Sequence, residues 1–166
     1  MNINSKDNLR HWHVAYTAPR AEKKVSSRLS EQGINHYLPV KKSLKQWSDR
    51  RKWVEEPLFP SYIFVHVDQK EYFDAINTDG MVCYIRFEGK AAMVREQTMS
   101  DIRRIAEAGL MAEMVDEMPQ PGTRYSINAG PLKGISGKVV RLKGKTHFVL
   151  EVEELGKYLV LPFSAS

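Results

Sequence analysis

Glu56-Pro57-Leu58-Phe59-Pro60-Ser61-Tyr62-Ile63-Phe64-Val65-His66-Val67 joins a rigid proline bracket to the most apolar strand pattern of the chain. Successive strand residues face opposite sides of a sheet, so Ile63, Val65 and Val67 share one face and Tyr62, Phe64 and His66 the other. A strand that is apolar on both faces is covered on both. One cover is the domain's own core; the second is either a helix of the same chain or a surface offered to a partner.

Working outward toward the N-terminus, Trp12-His13-Val14-Ala15-Tyr16-Thr17 reads as a first strand. Pro19 follows at a position suited to the first turn of a helix, with Thr17 or Ala18 as its cap and Gly33 as its stop. Ala21, Val25 and Leu29 form the apolar stripe of that helix. Arg20, Lys24 and Arg28 recur every four residues on a neighbouring face with Lys23 alongside, a ridge suited to tracking phosphates. The same run also reads as a solvated helix face. Residues 35 to 44 and 52 to 55 read as two strands of a hairpin with a basic tip, Gln46-Trp47-Ser48-Asp49-Arg50-Arg51. Cations around two tryptophans have the chemistry used on single-stranded nucleic acid, although tryptophans packed under lysine stems would give the same pattern.

Toward the C-terminus, Asp68 to Asn77 reads as a short helix carrying Tyr72, Phe73 and Ile76. Thr78-Asp79-Gly80 turns into a strand over 82 to 87. Thr98 or Ser100 then opens a helix with Met99, Ile102, Ile105 and Ala106 inward and Arg103 and Arg104 outward. This order predicts an α+β fold, a mainly antiparallel sheet with helices packed on it. Residues 110 to 120 are acidic and methionine-rich and end in proline, as a linker would. Beyond them the period becomes two, in short β-branched runs parted by glycines, which predicts a small β-barrel. The expected organisation is a disordered tail over 1–10, a first domain over 11–109, a linker over 110–120 and a barrel over 121–166.

Composition excludes several classes of function. The 166 residues carry a net charge of +5, with 12 Lys/Arg against 4 Asp/Glu in residues 1–52 and 6 against 11 in residues 68–120. A basic first third beside an acidic middle predicts a chain that meets a polyanion with one surface only. Cys83 is the single cysteine and is expected to be a buried, inert thiol. No apolar run approaches the roughly 20 residues of a membrane span, so a soluble, cytoplasmic protein is expected. Gly144-Lys145-Thr146 resembles the end of a phosphate-binding loop, but Val139 stands where the first glycine belongs. The five histidines lack paired cysteines, and His11 and His13 on one strand face make a poor metal site, so no metal or cofactor is expected. No nucleophile or general-base constellation offers catalysis.

The stretch from Pro121 to Val140 holds Gly130, Lys133, Gly134 and Gly137. The glycines are expected to supply turn conformations closed to other residues, with Lys133 lifted on the loop between two strands. Read generically this is a β-barrel turn, but the spacing resembles the KOW motif. Together with Trp12 to Thr17 and Glu56 to Val65, it makes the chain resemble a NusG-type transcription elongation factor over roughly residues 11 to 163. Pro57 to Phe64 followed by Tyr84-Ile85-Arg86-Phe87 is most similar to the specialised paralogues, RfaH and the UpxY class, which are operon-specific antiterminators.

The resemblance implies an NGN-like first domain and an SH3-like KOW barrel. It implies that the first domain binds the clamp helices of RNA polymerase through an exposed apolar surface of Val14, Phe59, Tyr62, Phe64, Phe87 and Ile102. It implies contact with the non-template DNA strand through Arg20, Lys23, Lys24, Arg28 and Thr78. It implies a barrel that binds ribosomal protein S10 or termination factor Rho, in a protein expected to be monomeric. Two other readings stand beside it: a KOW-containing ribosomal assembly or translation factor that grips ribosomal RNA, and a small-molecule enzyme dependent on His11 or His13.

Overall fold

The computed structural model describes residues 9–164. The chain runs β1 (His11–Thr17), α1 (Glu22–Glu31), β2 (His36–Tyr37), β3 (Val40–Gln46), β4 (Arg51–Pro57), β5 (Tyr62–Val67), α2 (Gln69–Ile76) and β6 (Met81–Tyr84). It continues through β7 (Arg86–Phe87), β8 (Lys90–Ala91), β9 (Met93–Val94) and α3 (Glu96–Glu107). The last five strands are β10 (Glu113–Val115), β11 (Thr123–Ser126), β12 (Ser136–Leu142), β13 (Lys145–Val152) and β14 (Lys157–Pro162). The class is α+β, as the element order predicts. All strand pairing among the described residues is antiparallel.

Two compact units result. The residues up to Leu38 with Phe59–Glu96 form the first, and Pro39–Leu58 with the chain from Gln97 onward form the second. In the first, the sheet order is β2-β5-β1-β6, with β9 also paired to β1. Ile63, Val65 and Val67 of β5 join Ala15, Val25, Leu29, Ile34, Ala75 and Tyr84 in one buried core. The strand's two-residue period therefore seats one face under α1 and α2 as expected. Asp68 caps α2 reciprocally with Glu71: its carboxylate accepts the Glu71 amide at 2.9 Å and the Glu71 carboxylate accepts the Asp68 amide at 3.2 Å. Arg10 closes on the same corner, 2.8 Å from Glu71 Oε1 and 3.8 Å from Asp68. The expected disordered tail thus falls largely outside the described residues, and its last residue, Arg10, is held.

The second unit holds the β3–β4 hairpin, α3 and a five-stranded sheet in the order β10-β14-β13-β12-β11. Its composition differs from the expected boundaries, because polar contacts tie α3 and the hairpin to the C-terminal part. Thr98 Oγ1 donates to Glu154 Oε1 at 3.0 Å, and Lys41 Nζ to the Ala112 carbonyl at 3.2 Å. Within the expected linker, Glu113–Val115 is a strand that pairs with Tyr158–Val160 of β14. Its partner lies more than forty residues away, beyond any local pattern.

Other expectations need correction. The first helix starts at Glu22 rather than at Pro19, because Arg20 takes a left-handed φ of 63° and breaks the turn. Pro39 divides the expected second strand into β2 and β3, which belong to different sheets. Cys83 is exposed rather than buried, because β6 is an edge strand and Cys83, opposite Tyr16, points away from the helices. Phe73 lies on α2, as the sequence predicts, and is exposed there.

Candidate functional site

The second face of β5 depends on the turn that precedes it. Pro60, whose ring fixes φ, and Ser61 at φ 68° occupy the middle of a type II-like turn, closed by the Tyr62 amide donating to the Phe59 carbonyl at 3.1 Å. Ser61 is not glycine, so this conformation needs external support. The buried Glu22 supplies it, accepting the Ser61 amide at 3.0 Å, while the Ser61 carbonyl accepts the Thr17 amide at 2.9 Å. Glu22 was not singled out from sequence; its position in the first turn of a basic helix disguised it as a surface charge.

From that turn, Phe59 packs edge-on against Phe64 with ring centroids 5.7 Å apart. Val14 lies directly opposite Phe64 on β1, and Tyr16 opposite Tyr62, with the two tyrosine rings at 4.8 Å and their hydroxyls at 3.3 Å. Trp12 stacks on His66 at 4.8 Å. The structure therefore brings Val14, Phe59, Tyr62 and Phe64 together on one sheet face. It does not leave them exposed: all four are buried, Phe64 at 0 %, which corrects the expectation of an uncovered face. Ile102, also buried, lies on α3 in the second unit. Phe87 is the exception, 63 % exposed on the β7–β8 ribbon. Tyr16, Val82 and Met93 are further exposed apolar residues of the first unit.

The basic residues divide into two groups. Arg20, Lys23 and Lys24 are exposed around the start of α1. Arg28, one turn from the helix end, donates from Nη1 to the Asp79 carbonyl at 2.8 Å and so braces the turn before β6. Thr78 in that turn is buried; its hydroxyl donates to the Asp74 carbonyl and accepts from Gln32 Nε2 at 2.8 Å. Its side chain does not face solvent, contrary to the expectation of a nucleic-acid contact. Gly80 completes the turn at φ 95°, where a Cβ would stand 2.7 Å from Val25 Cγ2. Glycine is required there for space as well as for conformation.

On the first unit's helix-covered face, the His13 ring meets Tyr72 and Tyr84 edge-on, and its Nδ1 lies 3.2 Å from the Ala92 carbonyl. Burial pushes the His13 pKa below the usual 6.5; the carbonyl hydrogen bond opposes this and nearby His11 adds slightly to it. Burial likewise holds the Tyr84 phenol well above its ordinary value, with Tyr72 stacked 4.1 Å away. Among the described residues no cluster of three or more His, Cys, Asp or Glu side chains could hold a metal ion.

In the second unit, the loop holding Gly130 and Gly134 is a compact turn. Both glycines take positive φ, the Gly134 amide donates to the Ile127 carbonyl at 2.7 Å, and Lys133 is exposed. Gly137 has a different role from the one expected, since it lies within β12 and its φ is not positive. A Cβ there would stand 2.4 Å from the Val149 carbonyl oxygen and 2.6 Å from Phe148 Cζ, so close packing excludes a side chain. Arg104 was expected to point outward. Its Nη2 instead donates to the carbonyls of Pro131 (2.8 Å) and Lys133 (2.7 Å), which ties α3 to the loop.

The family model described as "Transcription termination factor nusG" matches residues 10–103. The NusG transcription termination/antitermination protein of Rickettsia conorii is 22 % identical over 165 residues, spanning 92 % of this chain and 86 % of that protein. Its counterpart in Rickettsia prowazekii is 23 % identical over 168 residues with the same coverage. The solved structure titled "Domain interaction in Thermotoga maritima NusG" superposes with a TM-score of 0.59 at 16 % identity, over 94 % of each chain, a likeness of fold. None of the described helices is long and apolar enough to cross a membrane.

Proposed function

We propose, from the premise that the chain belongs to the NusG family of transcription termination and antitermination proteins, that it rides on RNA polymerase and modulates elongation. Residues 11–109 form the polymerase-binding part. Val14, Phe59, Tyr62, Phe64 and Phe87 of the first unit dock on the clamp helices, and Arg20, Lys23 and Lys24 lie along the non-template DNA strand. The KOW barrel, residues 121–166, presents the loop around Lys133 to a second partner, ribosomal protein S10 or Rho. Service of particular operons, in the manner of RfaH and UpxY proteins, is part of this reading.

The observation that carries it is β5, apolar on both faces, at the centre of the segment that matches the family. Burial of Val14, Phe59, Tyr62 and Phe64 adds a condition: these side chains must become accessible before they can dock. Phe87 is accessible already. Capture of purified RNA polymerase by the immobilised chain tests the proposal. Phe87→Glu is expected to weaken capture at least tenfold without moving the melting temperature, since buried aromatic anchors at interfaces contribute about 2 kcal/mol or more. Capture unaffected by Phe87→Glu and by the Tyr62→Ala/Phe64→Ala pair, with a cooperative melt retained, would defeat it. Co-sedimentation with ribosomal subunits in place of polymerase would favour the ribosomal RNA-binding alternative.

A further inference from the structure

The proposal above makes no use of the β3–β4 hairpin, whose side chains sort cleanly by register. Lys41, Ser43 and Lys45 stand opposite Glu56, Val54 and Lys52 on one face; Lys42, Leu44 and Gln46 stand opposite Glu55, Trp53 and Arg51 on the other. The first face is tied to its own unit by Lys41, which reaches the Ala112 carbonyl, and by half-buried Val54. The second carries Leu44, 47 % exposed, against Trp53, 65 % exposed. At the tip, Trp47 is 44 % exposed, with the Arg50 guanidinium 5.4 Å above its ring. An apolar pair and an aromatic tip left open on a ribbon of this kind call for an occupant.

The charges identify its chemistry. From Lys45 to Trp53 there are four cations, Lys45, Arg50, Arg51 and Lys52, and one carboxylate, Asp49. Lys45 and Lys52 are direct cross-strand neighbours, an arrangement that repels unless an anion lies near. Glu56, opposite Lys41, accepts from Lys45 at 2.7 Å and from Ser43 at 3.0 Å, and these hydrogen bonds hold its pKa below the usual carboxylate range. Arg50, Arg51 and Lys52 are all exposed, beside the exposed Trp47 and Trp53. Gln46 Oε1 is engaged by Arg51 Nε at 3.2 Å.

We infer that the outer face and tip of this hairpin bind single-stranded DNA, with unpaired bases stacking on Trp53 and Trp47 and phosphates meeting Arg50, Arg51 and Lys52. Stacking on an exposed tryptophan needs bases that are not already stacked in a duplex, and adjacent cations track the backbone between them. DNA is chosen over RNA because the proposed function places a single DNA strand beside the protein; to that extent the inference rests on that function. An acidic protein surface is the competing occupant, and it would use the charges without the bases.

The test is titration of the full chain with fluorescein-labelled dT15, read by anisotropy and by quenching of tryptophan fluorescence. Trp12 is buried, so quenching reports Trp47 and Trp53. Trp47→Ala/Trp53→Ala is expected to weaken binding tenfold or more and abolish quenching. Trp47→Phe/Trp53→Phe restores most of the affinity, because a phenyl ring still stacks. Arg50→Gln/Arg51→Gln/Lys52→Gln is expected to flatten the slope of log affinity against log salt by about 2, at roughly 0.7 per phosphate on a single strand. Duplex of the same length is expected to bind more weakly and without quenching. Unchanged affinity in the Ala pair, or equal binding of duplex, or a clear preference for rU15 over dT15, overturns the inference. Polymerase capture by the same variants separates the two proposals: the Ala pair retains it if only the hairpin reading is wrong, and wild type lacks it if the proposed function is wrong.

Discussion

Strand β5 and the β3–β4 hairpin lie only a short turn apart in the chain, and both carry aromatic residues on strand positions, yet they meet opposite fates. On β5 both faces are closed, with Ile63, Val65 and Val67 under the helices and Tyr62 and Phe64 against Phe59, Tyr16 and Val14. On the hairpin Leu44, Trp47 and Trp53 stay open. The difference lies in what flanks the aromatics. Those of β5 sit among β-branched residues, whereas Trp53 shares its hairpin face with Lys42 and Arg51 and Trp47 shares the tip with Arg50, cations whose desolvation would cost more than burying an indole gains. Aromatic content alone therefore says little about burial; the charge of the neighbours decides it.

The sharpest way to break this contrast is truncation at matched positions. Phe64→Ala is expected to destabilise the chain by about 3–5 kcal/mol through loss of packing and the cavity left behind. Trp53→Ala should stay within about 0.5 kcal/mol, as for a surface substitution. Urea unfolding of both variants measures the gap, and equal losses would show that the hairpin packs in solution. A smaller effect is expected at the turn that launches β5. Glu22→Ala removes the acceptor for the Ser61 amide and should cost about 1–3 kcal/mol, the range for a polar group left unpaired away from water. A loss near zero would mean that Pro60 alone holds the turn.

The smallest effect is a pH dependence. Because burial depresses the His13 pKa in the folded protein, the unfolded chain takes up this proton first as pH falls. Stability contributed by neutral His13 is present above the ordinary 6.5 and is lost as pH drops through the lower folded value. Unfolding free energy measured at pH 7.5 and 5.5 should fall more in the native chain than in His13→Gln. An identical fall in both would assign the dependence to other groups.

Much of this architecture can be read from local pattern. The two-residue period of β5, the basic tip between two strands and the glycine-punctuated runs of the barrel each declare their element within a few residues. Four features escaped for one shared reason, their dependence on distant chain. Glu113–Val115 becomes a strand only because β14 offers an edge. Cys83 is exposed only because β6 borders its sheet. Gly137 is needed for the proximity of Val149 and Phe148, not for its own φ. Arg104 turns from an outward cation into a clasp because two carbonyls of the loop after β11 converge on it. At the candidate site the residues on the second face of β5 were legible as a set, while their closure was not.

Arg10 carries a practical consequence. Its guanidinium sits at the capped start of α2, bonded to Glu71 and within 4 Å of Asp68, and so fastens the residue ahead of β1 to the corner where β5 hands over to α2. Arg10→Ala, or trimming the chain past Arg10, would leave Asp68 and Glu71 without this cation at the first turn of α2, so a truncation made for expression should stop short of it.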